Sequence, residues 1–136
     1  MVYHERAAWA GLIASFVTVG VYIGLLRGAD GWIWPMVWAV AAGIALSILI
    51  IIVWGIFAGI RDREGATASD LRDRDIGRMG GRVEQALLVI AGLGVIVLCA
   101  IGAELFWVAN TMFAGFVVAS IVGGVARVIA YRRGLV

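Results

Sequence analysis

The stretch DLRDRDIGRMGGR, Asp70 to Arg82, is the polar block between two long apolar halves of the chain, and its reading decides the fold. Ser69 and Asp70 are good N-cap residues, because a short side-chain oxygen accepts from the N–H groups that a helix start leaves unpaired. Asp73 takes the place that Glu holds in a capping box. Beyond that start Ile76, Met79, Val83, Leu87 and Ile90 recur at helical spacing, so one apolar stripe runs from the polar block into the apolar run that follows. The spacing predicts a single helix from Asp70 to about Ala103 whose first turns stand in the cytoplasm.

Arg74, Arg78 and Arg82 repeat along another face of the same helix, with Asp70 and Asp75 placed for weak intrahelical ion pairs. Gly77, Gly80 and Gly81 are poor helix formers at about 1 kcal/mol each against alanine, which points to another backbone close by. A charge run of this kind is commonly a solvated helix end. Its sharper reading is docking: near an anionic leaflet each arginine contributes about 1 kcal/mol, and a protein partner could take the same stripe. No glycine-rich phosphate loop and no His and Cys cluster accompanies the block.

Working outward, the rest of the 136 residues is oily: 63% of the chain is hydrophobic, 15% is charged and the mean hydropathy is +1.03. Soluble domains carry about a quarter charged residues, so this composition belongs to an integral membrane protein in contact with lipid. All 11 basic residues are arginine, and the net charge of +2 gives no basis for nucleic-acid binding. Cys99 lies in an apolar run and, as a single cysteine, reads as a small buried hydrophobe.

Uncharged runs at Ala7 to Leu26, Trp32 to Ile60, Ala86 to Ala103 and Leu105 to Ala126 each approach the roughly 20 residues that span a bilayer. The first is long for a signal sequence and no small-residue cleavage site follows Leu26, so it is read as a retained helix. Trp34 and Trp54 lie about 30 Å apart along a helix, matching two interfacial aromatic belts. Pro35 suits the first turn of that helix, where its missing N–H costs nothing. The expected fold is an all-α membrane protein, one domain over residues 1–136, with helices at about 7–26, 32–60, 70–103 and 106–129. They form two hairpins, with the third helix extended into the cytoplasm.

Arginine asymmetry orients the chain. Arg6, Arg61, Arg63, Arg72, Arg74, Arg78, Arg82, Arg127, Arg132 and Arg133 lie on one side and Arg27 on the other, so the positive-inside rule puts both termini in the cytoplasm of an inner, or plasma, membrane. Aligning Asp30 with Glu104 also pairs Trp32 with Phe106, the pattern of a parallel repeat of two hairpins.

Small residues ladder at four-residue spacing in Gly20 with Gly24, Gly55 with Gly59, and Gly115, Ala119 and Gly123. In lipid such ladders let helices approach, either within the chain or toward a second protomer. Asp30, Glu104, Trp107 and Asn110 could together form a cation or ligand site in an outer mouth, or serve as interfacial caps. Arg127 is expected to snorkel toward headgroups. His4, the sole histidine, reads as a surface residue. Ser15, Thr18, Ser47, Thr111 and Ser120 lack a neighbouring base and within helices are expected to bond to the preceding turn. No enzyme, metal or cofactor is expected. The first helix lacks the buried carboxylate on which small drug-proton antiporters depend.

The segment Asp70, Arg72, Asp73 and Ile76 reads D-x-R-D-x-x-I between the second and third helices. With HERAAW (His4 to Trp9), ELFWVAN (Glu104 to Asn110) and VIAYRRG (Val128 to Gly134), it resembles a family of small four-helix bacterial membrane proteins of unknown function, the actinobacterial members above all. The resemblance implies a four-helix membrane protein, sometimes encoded beside a transcriptional regulator, and supplies no catalytic residue. Two functions are expected: a non-enzymatic protein acting through oligomerisation or as an accessory partner of another component, and an oligomeric small-solute or ion permeation or export protein.

Overall fold

The computed structural model describes the backbone of residues 3–61 and 70–133, and the side chains of residues 8–53, 55–56 and 74–133. The expectations placed on Ser69 and on the side chains of His4, Trp54, Asp70, Arg72 and Asp73 lie outside the described residues.

The described chain is four α-helices, α1 (Tyr3–Leu26), α2 (Ile33–Arg61), α3 (Asp70–Ala100) and α4 (Leu105–Arg133), each holding a stretch long and apolar enough to cross a membrane. Pro35 lies in the first turn of α2, and just behind it the Met36 N–H donates to the Trp32 carbonyl at 3.2 Å. Helix α3 stops earlier than the apolar stripe implies. Gly102 adopts a left-handed φ of 69°, the Ala103 N–H donates to the Leu98 carbonyl at 2.9 Å, and the Gly102 N–H donates to that of Cys99 at 3.1 Å. This is a Schellman cap, which a left-handed glycine permits and which closes the helix at Ala100 instead of Ala103. The Glu104 carbonyl then accepts from the Trp107 and Val108 N–H groups to open α4.

The helices pack in the order α2, α1, α4, α3. The two central helices each have two extensive partners and the two edge helices one. Small residues set each contact. On α2 Pro35, Ala39 and Gly43 are buried along one face, and the Thr18 side chain of α1 occupies the space where a Cβ on Gly43 would stand. Between α1 and α4, Leu12 lies over Gly124, its Cδ2 2.9 Å from where a Cβ would be, in a buried cluster with Ala8 and Val128. Between α4 and α3, Gly115 faces the Cβ of Ala91 and Gly123 faces the Glu84 side chain. These pairings run antiparallel. Large apolar side chains such as Trp38, Ile51, Ile90 and Ile96 are exposed, as lipid-facing positions are.

Candidate functional site

Where α1, α2 and α4 meet they leave a groove of about 550 Å³. Its walls are mostly apolar, including Val40, Ile44, Phe113 and Phe116, with four hydroxyls from Ser15, Thr18, Ser47 and Ser120 set among them. Ser15, Thr18 and Ser47 donate to the carbonyls of Gly11, Ala14 and Gly43 at 2.9, 2.8 and 2.9 Å, the back-bonding expected of hydroxyls inside a helix. Ser15 and Ser120 also pair across α1 and α4 at 2.7 Å. Sequence reading saw these residues only as unactivated hydroxyls. The shared signal was present as Gly-x-x-x-Ser in both GLIAS (Gly11 to Ser15) and GIALS (Gly43 to Ser47), but nothing in the sequence said that the two would face one space.

A second polar feature joins α3 to α4. Arg127 Nη2 lies 2.9 Å from Glu84 Oε2, with both side chains 28% accessible. Each half of the pair rests on a glycine of the opposite helix: Glu84 over Gly123, and Arg127 over Gly80, its Cδ 3.0 Å from where a Cβ would be. The room left by Gly80 is therefore filled from within the chain. Arg127, expected to reach toward headgroups, is held by Glu84. Gly77 and Gly81 face open space.

Across the polar block Ile76 and Gly80 are buried toward α4, whereas Arg74, Arg78 and Arg82 are exposed. Arg78 and Asp75 approach to 3.9 Å with both side chains more than 70% accessible, a pair that solvent screens.

At the opposite end Asn110 is turned between helices: its Oδ1 accepts from the Tyr22 hydroxyl and its Nδ2 donates to the Phe106 carbonyl, both at 2.8 Å. Tyr22 also meets the Phe113 ring at 4.9 Å, and Trp32 meets Phe106 edge-on at 5.5 Å. Asp30, Glu104 and Trp107 are exposed. Among the described residues no hydrogen bond or ion pair joins Asp30, Glu104 and Asn110.

Of the helix-packing glycines, Gly115 and Gly123 meet α3, and Ala119 between them is 2% accessible. Gly20 and Gly24 on α1 and Gly55 on α2 have open space where a Cβ would stand. Among the described residues no three His, Cys, Asp or Glu side chains converge as a metal site would require. No family model, no curated protein and no solved structure matches the chain.

Proposed function

We propose that this protein is a non-enzymatic inner-membrane protein, with both termini and the start of α3 in the cytoplasm, that acts by associating with a second copy of itself. The observation that carries the reading is the open face of α1 at Gly20 and Gly24. Lipid chains place no demand for small residues, whereas helix contact does, and this helix uses its other faces for α2 and α4. The arginines support the orientation: Arg127, Arg132 and Arg133 lie toward the end of α4 that meets Arg74, Arg78 and Arg82 of α3, and among the described residues only Arg27 lies at the other. In this reading the two sequence hairpins are the folding units.

The particle mass of the purified protein in lipid nanodiscs tests the association. A mass above the 14.5 kDa of one chain, reduced to one chain by the double change Gly20→Leu and Gly24→Leu with helix content unchanged, is the expected result. A single-chain wild type would end the proposal.

A further inference from the structure

The groove between α1, α2 and α4 has a polarity that selects what can enter it. A hydroxyl carries one proton. The arrangement that makes both bonds at Ser15 has Ser15 donating to the Gly11 carbonyl and Ser120 donating to Ser15. The protons of Thr18 and Ser47 go to Ala14 and Gly43, and Thr18 is further covered by Gly43. In that arrangement every hydroxyl proton of the lining is engaged inside the protein, and the backbone N–H groups there belong to helices. What remains toward the groove is lone pairs, on Ser47 and Ser120 above all. The polar part of this site then presents acceptors to a ligand.

Depth sharpens the selection. Ser15, Ser47 and Ser120 lie near the middle of α1, α2 and α4, hence near the centre of the apolar thickness those helices can span. A ligand must arrive sideways through hydrocarbon, where its own donor has no partner, so meeting an acceptor there yields most of the cost of that isolation. No charged side chain lines the groove, which disfavours a cation. A phospholipid keeps its polar group at the interface and brings only acyl chain to this depth. A helix of a second copy has its N–H groups engaged and leaves the acceptors unmatched. Phe113 and Phe116 add aromatic surface, and the volume falls in the range of about 300 to 1,000 Å³ usual for small-molecule sites.

We infer that the groove binds an uncharged lipophilic phenol, its O–H donating to Ser47 or Ser120 and its ring lying against Phe113 and Phe116. This holds whether or not the chain associates.

The test uses the full chain in nanodiscs, with para-hexylphenol and its methyl ether as probes and empty nanodiscs to subtract partitioning into lipid. The ether has the same apolar body and no donor. Saturable binding of the phenol, roughly tenfold tighter than the ether, is expected from one hydrogen bond formed in an apolar site. The double change Ser47→Ala and Ser120→Ala should bring the ratio close to one, and Ile44→Trp should weaken both probes by filling the groove. Absence of saturable binding, equal binding of phenol and ether by the wild type, or a ratio unmoved by the serine changes would overturn the inference. So would Ile44→Trp altering particle mass while phenol binding stays unchanged, which would assign the groove to a second copy.

Discussion

At the scale of single residues, the glycines divide by what stands opposite them. Gly115 meets the Cβ of Ala91, which is fixed to its backbone and can yield only if α3 and α4 separate. Gly115→Ala is therefore expected to destabilise the protein by about 1–3 kcal/mol, the usual range for overpacking, read by unfolding in mixed micelles. Gly77 meets nothing, so Gly77→Ala should instead stabilise by about 1 kcal/mol through helix propensity. Equal effects from the two would refute the assigned contacts. The Glu84 and Arg127 pair makes a second residue-scale case, because a half-buried charge left alone is worse than none. Arg127→Gln should cost about 1–3 kcal/mol, and adding Glu84→Gln should recover part of the loss. A double variant at least as unstable as the sum of the two singles would mean that the pair is not coupled. Four-residue spacing made Gly115 and Gly123 visible as packing positions in the sequence. It could not tell them from Gly20 and Gly24, since the same spacing fits any helix face whatever lies across from it.

At the scale of the element, α3 carries two faces with different tasks. Ile76 and Gly80 are buried toward α4, and Arg74, Arg78 and Arg82 lie on exposed positions. If that stripe docks on anionic lipid, changing all three arginines to Gln should lower binding of the protein's nanodiscs to anionic vesicles, and added salt should erase the difference. Identical vesicle binding by wild type and variant across a salt titration would leave the stripe as a solvated face. In α4 the almost inaccessible Ala119 predicts that Ala119→Leu disrupts folding, because the added bulk lies between close backbones. An unchanged melting temperature would exclude it. That α3 is a helix through Ile76, Met79 and Val83 was legible from their spacing, which is local. Its end was not, because apolarity continues past Ala100 and only the left-handed Gly102 stops the helix.

At the scale of the whole molecule, the proposed orientation predicts that, in a Cys99→Ser background, a cysteine at Ala29 is labelled from outside intact cells and one at Ala68 is not. Labelling at Ala68 would reverse the topology. The existence of four membrane-length helices was determined by sequence alone, because length and apolarity add up along a single segment and need no partner. The lateral order α2, α1, α4, α3 was decided only by tertiary structure. That order in turn settles which small residues become contacts, puts Thr18 against Gly43 and Glu84 against Gly123, and turns the hydroxyls of Ser15, Ser47 and Ser120 toward one groove. The physical reason is that within the membrane each helix is apolar on nearly all sides, so no amphipathic stripe marks the face that meets a neighbour, and close fit between particular surfaces makes the choice.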